Sequence, residues 1–274
     1  MAYEITILGC GSSGGVPRIG GDWGICDPNQ PKNRRTRCSI LVEQWQGEGE
    51  KPSEKDCTIV LIDTSPDLRE QILKTDITHI DALFYTHDHA DQTHGIDDLR
   101  ALAYRMRKRI PTYFDEHTKI HLYQRFDYCF EMPDGRVHPA ILDAQSLISS
   151  GHDSIIEGAG GPITLRALGV SHGPTPSLGF LINNEVVYTP DVHEIDDDIF
   201  EMIGSPKIWI VDALRYADHP THANLDKAMS WIARSCTKQA ILTNLHIDMD
   251  YDLLSQEIPH PHLPAYDGMV LASD

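Results

Sequence analysis

The sequence predicts an α+β fold, with sheet layers covered by helices rather than one doubly wound parallel sheet. Two observations carry this. Short apolar runs rich in β-branched residues recur along the whole chain, and they come first as a meander, with helical patterns entering later between strands. The strand-like runs lie at 5–8, 39–42, 58–62, 82–85, 163–168, 179–182, 186–188, 208–211, 240–242 and 269–271. Helical periodicity appears at about 67–74, 95–105 and 224–235. The last of these opens on a capping residue, Asn224, and sets Ala228, Trp231 and Ile232 on one face. The charged, glycine-containing stretch 46–55 separates two strand runs and reads as an exposed hairpin loop. Residues 108–161 are less regular and are expected to form a cap over a site.

A chain of 274 residues is long enough for one large domain with a full core, and 1–274 is read as a single domain. Its 41% hydrophobic and 23% charged residues are ordinary for a soluble globular protein. No apolar run approaches the ~20 residues that span a bilayer, so no membrane partner is expected. The opening Met1-Ala2-Tyr3-Glu4-Ile5-Thr6-Ile7-Leu8-Gly9 lacks a basic region and reads as a first strand rather than a signal peptide, which makes the cytoplasm the expected location. Cys10, Cys26, Cys38, Cys57, Cys129 and Cys236 form no C-x-x-C pair and read mostly as small buried residues in a reducing compartment. The net charge of -18 disfavours nucleic acid as a partner. It leaves room for a small anionic substrate, because a metal and a few arginines reverse the sign locally. Oligomeric state stays open, a homodimer included.

The densest chemistry is Thr86-His87-Asp88-His89-Ala90-Asp91-Gln92-Thr93-His94-Gly95, directly after an apolar run. Two histidines one residue apart at a strand exit point the same way, and Asp91 two residues on completes a converging N/N/O set. Such a set suits a divalent metal with positions left open for water. Three later strands also end on potential ligands: Ser171-His172-Gly173, Thr189-Pro190-Asp191 and Thr243-Asn244-Leu245-His246. One polar strand end is commonly a satisfied loop residue, whereas four in one chain point to a shared site.

The ordered set His-x-His-x-Asp, His, Asp, His resembles the metallo-β-lactamase superfamily of metal-dependent hydrolases. The likeness covers nearly the whole chain. It includes the segment from Leu8-Gly9-Cys10-Gly11-Ser12-Ser13 to Val16-Pro17, Arg34-Arg35-Thr36-Arg37-Cys38-Ser39, and Leu61-Ile62-Asp63-Thr64-Ser65-Pro66-Asp67-Leu68-Arg69. It extends through Gly95-Ile96-Asp97-Asp98-Leu99-Arg100 and His219-Pro220-Thr221-His222. These segments are similar more specifically to the phosphoribosyl 1,2-cyclic phosphate phosphodiesterase branch. The resemblance implies a four-layer αββα sandwich with two divalent ions, zinc or manganese, at one edge. By the same resemblance His87, His89 and His172 hold the first ion, Asp91 and His246 hold the second, and Asp191 bridges them. Asp63 is then a buried carboxylate orienting the histidine loop. Gln92 stands where the family usually has histidine, so the second ion is expected to be held weakly; His94 is the other uncertain ligand. The loop after Val16-Pro17 carries one cysteine, Cys26, and a thiolate-rich structural zinc is not expected there.

The activity implied is hydrolysis of a small cyclic or nucleotide-like phosphate ester by a metal-bridged hydroxide. His222 is the candidate general acid, with Asp91 counted beside it among the catalytic residues. Ser13, Arg34, Arg35 and His222 are the candidate substrate contacts. For Arg34, Arg35 and Arg37, phosphate binding and ordinary surface ion pairing both remain open. Two other readings stand: a tRNA-processing-type endonuclease, and a non-hydrolytic accessory protein of cofactor biosynthesis.

Overall fold

The computed structural model describes residues 1–132 and 137–272. Its first sheet is built from β1 (Ala2–Gly9), β2 (Ser39–Trp45), β3 (Cys57–Ile62), β4 (Ala82–Phe84), β5 (Ile110–Tyr113) and β6 (Leu142–Ala144). The second uses β7 (Asp153–Ile156), β8 (Ile163–His172), β9 (Thr175–Ile182), β10 (Val186–Thr189), β11 (Ile208–Asp212), β12 (Gln239–Thr243) and β13 (Leu263–Pro264). The last strand, β14 (Met269–Ala272), returns to the edge of the first sheet beside β1. The strand orders are β14-β1-β2-β3-β4-β5-β6 and β13-β12-β11-β10-β9-β8-β7. Each sheet is mixed: antiparallel from β14 to β3 and from β7 to β10, then parallel from β3 to β6 and from β10 to β13.

Helices cover both outer faces. α1 (Leu68–Leu73), α2 (Ala90–Thr93), α3 (Arg100–Met106) and α4 (Glu116–Phe130) belong to the first half; α5 (Asp197–Ile203), α6 (Leu225–Ser235) and α7 (Tyr251–Glu257) belong to the second. Alternation within single strands shows why four layers form. In β3, Val60 and Ile62 face the opposite sheet with Phe180 and Ile182, while Cys57, Ile59 and Leu61 join Leu68, Leu99 and Leu122 beneath the helices. A strand covered on both sides is apolar at every position, which is why β3 reads as a continuous run. On the far side Trp209, Val211 and Leu242 pack with Ile199, Ala228 and Trp231.

All ten expected strand runs are strands, and the chain adds β5, β6, β7 and β13. The expected helix at 95–105 is divided, with a tight 3-10 turn at Ile96–Leu99 preceding α3. Gly95 explains part of that geometry, because a Cβ there would lie 2.1 Å from the Ser65 carbonyl oxygen. The expected cap at 108–161 is more regular than the sequence suggested: apart from residues 133–136, which lie outside the described residues, it supplies β5, α4, β6 and β7. No helix among the described residues is long and apolar enough to cross a membrane. Phe180 is fully buried between the sheets, edge-on to Phe84 at 5.4 Å. Phe180→Ala is expected to cost about 3–5 kcal/mol, read as a lowered midpoint in equilibrium urea denaturation.

Candidate metal centre

Strand ends from both sheets meet at one edge. β3 leads into Asp63, β4 into Thr86 and His87, and β8 ends on His172. β10 is followed by Asp191, β11 ends on Asp212, and β12 is followed by Asn244.

The histidine loop is fixed from beneath. Asp63 is fully buried in a left-handed conformation (φ 65°) and accepts two hydrogen bonds from Thr86, one from the backbone N–H and one from Oγ1, each at 2.8 Å. Burial pushes the Asp63 carboxyl well above the ordinary range, and the Thr86 donors oppose that rise. Because the Thr86 hydroxyl proton goes to Asp63, its oxygen accepts from His87 Nδ1, 3.0 Å away. That fixes His87 as the Nδ1–H tautomer and leaves an Nε2 lone pair. Nε2 is buried and has no partner.

His172 is set the same way. Its Nδ1 donates to the Thr221 carbonyl at 2.7 Å, leaving Nε2 3.3 Å from His89 Nδ1. The rings of His87, His89 and His172 form a triangle with centroids 4.5, 5.0 and 5.1 Å apart. One ligand atom from each lies within 4.8 Å of the other two. Burial and the neighbouring imidazoles hold His87 well below the usual histidine range; burial, and after it His222, lower His172 to about 3. Neutral imidazoles with converging lone pairs and fixed tautomers are what a divalent ion requires. The donor set fits.

A second trio joins His172, Asp191 and His222. His222 Nδ1 donates to Asp212 Oδ2 at 2.8 Å and lies 3.8 Å from Asp191 Oδ1. Burial works against its charge, but Asp212, with Asp191 and Asp91 behind it, outweighs burial and raises His222 to about 9. Burial raises both Asp191 and Asp212. Gln92 is buried in the site and donates from Nε2 to Asp191 Oδ2 at 2.6 Å. Asp91, half-buried on α2, adds its charge to the fields at Asp191 and His222.

Several expectations need correction. His246 does not join the expected ligands; its Nε2 lies against the Arg18 guanidinium and its Nδ1 is 2.9 Å from Asp248. Within that segment it is Asn244, turning the chain at φ 61° immediately after β12, that lies beside Asp191, its Nδ2 3.5 Å from Oδ1. His94 is exposed, with its ring edge-on to Phe126 at 5.4 Å, and lies outside the groups that gather. Arg35 is buried with its guanidinium toward Asn33 and Cys26, so it is not open to a substrate. Arg37 pairs with Asp67 at 3.0 Å. Arg34 and Ser13 are exposed, Ser13 on the loop tied to the Asn244 segment by Ser12 N–H donating to the Leu245 carbonyl.

Sequence reasoning missed Asp212 and Asn244. Asp212 obeys the same rule as the others, an acid at the end of an apolar run; Asn244 carries no such signal. It also missed the clasp on Asp88 from α4, where Arg125 donates to its carboxylate at 2.8 Å and also to its carbonyl, with His117 3.4 Å away.

A family model described as a beta-lactamase superfamily domain matches residues 58–247. A solved structure described as a new diphosphatase from the PhnP family is 32% identical, with a TM-score of 0.85, covering 100% of this chain and 98% of that one. Zinc-bound PqqB from Methylobacterium extorquens is 17% identical with a TM-score of 0.70, over 98% of this chain and 99% of that one, a likeness of fold alone. Among curated proteins, an octanoyltransferase of Porphyromonas gingivalis is 28% identical over 266 residues. That match takes in 96% of this chain and 50% of the relative, so the chain spans about half that protein's length.

Thr86→Val removes the hydroxyl between Asp63 and His87 while keeping shape. Zinc affinity measured by chelator competition is expected to fall about 10–100-fold, with the far-UV circular dichroism spectrum unchanged.

Proposed function

We propose that this chain, which belongs to the beta-lactamase superfamily and stands close to the PhnP family within it, is a metal-dependent phosphodiesterase acting on a small cyclic or nucleotide-like phosphate ester. The observation that supports it best is two chemistries side by side: three imidazoles, those of His87, His89 and His172, whose ligand atoms converge, and a proton-carrying imidazole, His222, whose ring centroid is 4.6 Å from that of His172. A divalent ion on His87, His89 and His172, with Asp191 alongside, supplies Lewis acidity toward phosphoryl oxygens near neutral pH. His222 would give the leaving alkoxide the proton on its Nε2, while Asp212 holds the ring by accepting from Nδ1. Arg18 at the rim, with Ser13 and Arg34, offers the exposed donors for the ester's anionic oxygens.

The reading is tested by offering metal-loaded protein bis(p-nitrophenyl) phosphate, ribose cyclic phosphates and a nucleoside diphosphate. The last is included because the similar solved structure is described as a diphosphatase. Turnover of a phosphodiester supports it, and inertness toward every member leaves a non-hydrolytic accessory role. His222→Ala is expected to keep its metal content and to lower kcat about 10²–10⁴-fold on unactivated esters, with a smaller loss on the p-nitrophenyl ester. Equal slowing of both would remove the general-acid role.

A further inference from the structure

We propose that this chain binds one divalent ion per site rather than two, because Gln92 and Asn244 close the position beside Asp191 with amide hydrogen bonds. The inference rests on the reading of His87, His89 and His172 as metal ligands. A carboxylate that bridges two ions must offer each of them a free lone pair, from one oxygen or from both. In this chain both oxygens of Asp191 face nitrogen donors. Oδ2 accepts from Gln92 Nε2 at 2.6 Å; Oδ1 has Asn244 Nδ2 at 3.5 Å and His222 Nδ1 at 3.8 Å.

The orientation of the Gln92 amide follows from its partner. With Asp191 ionised, the state in which it could hold a cation, its carboxylate only accepts, and the group facing it at 2.6 Å is then the NH2 of Gln92. Turned this way, Gln92 donates one N–H to Asp191 and has only its neutral amide oxygen to offer a cation.

The remaining donors do not replace what is lost. Among the described residues, the carboxylate oxygens left on that side without a hydrogen bond are those of Asp91 and Asp212 Oδ1, whose other oxygen takes the Val192 and His222 hydrogen bonds. Gln92 Oε1 is buried without a partner, but it is a neutral amide oxygen. The nitrogen ligand expected from His246 is turned toward Arg18 and Asp248. His222 uses Nδ1 on Asp212. Carboxylate oxygens and one amide oxygen, with no imidazole among them, make a weaker set for zinc than the three imidazoles beside them.

The test is the ion count. Protein saturated with zinc sulfate, or with manganese chloride, and then desalted is measured by inductively coupled plasma mass spectrometry. Manganese-loaded protein is also examined by electron paramagnetic resonance. About one ion per chain and the spectrum of an isolated Mn(II) support the inference. About two ions, or a spin-coupled Mn(II) pair, overturn it. No retained ion would overturn the assignment of the histidine triad, so the two failures are distinguishable. The double substitution Gln92→His with Asn244→His is expected to raise the count from about one to about two. If that variant folds, by circular dichroism, and still holds one ion, the amides are not what excludes the second. If it does not fold, the wild-type count and spectrum decide the question.

Discussion

A buried carboxylate at residue 63 holds the rest of the site in place. Asp63 has no solvent to spend its charge on, so its two oxygens are satisfied by one residue, Thr86, through backbone and side chain together. That double contact fixes where the chain leaves β4 and which way the next side chain leans. It also decides chemistry at a distance: by taking the Thr86 hydroxyl proton, Asp63 dictates the tautomer of His87. The left-handed backbone at Asp63 is the cost of aiming the carboxylate at the neighbouring strand end, and the parallel pairing of β3 and β4 brings that neighbour within reach.

The sandwich supplies the rigidity this arrangement needs. Both sheets are covered on both faces, so every strand that delivers a site residue is anchored by side chains on two sides. The candidate site groups then stand on short extensions of a rigid frame, which limits the freedom they lose on binding. The α4 clasp on Asp88 adds an outer hold on the same loop, so the histidines are gripped from beneath by Asp63 and from outside by Arg125.

Much of this was legible in the sequence because burial and chemistry left separate marks. Continuous apolar runs gave the strands, and a polar residue at the end of each run gave His87, His89, His172 and Asp191. Asp212 obeyed the same rule and was legible in principle. The runs at β5, β6, β7 and β13 were too short or too mixed to stand out: β6 reads Leu142-Asp143-Ala144, with one exposed position in three. Asn244 and His246 show where the method stops. Which residue of that segment turns inward depends on a left-handed backbone angle at Asn244, and one sequence carries no mark of it. Histidine attracts attention as a ligand; asparagine does not. The arginines were harder to read for a related reason, since a run of like charges does not reveal that Arg35 folds inward while Arg37 finds Asp67 and Arg34 stays exposed.

Electrostatics explain why amides suit the place where a second cation is expected. Asp63, Asp191 and Asp212 are buried within one edge of the molecule, and burial raises all three toward protonation. Left as they are, the groups compete for protons; a bound cation removes that competition by stabilising the ionised forms, so ion uptake and proton release are linked. A carboxylate in low dielectric needs positive charge close by, but the charge does not have to be a whole one. The N–H dipoles of Gln92 and Asn244 meet part of the demand of Asp191 without adding net charge, and His222 meets part of the demand of Asp212 with a mobile proton. A site balanced in this way would, on the one-ion proposal, reach charge balance with a single divalent ion, and it keeps on its other side a proton on His222.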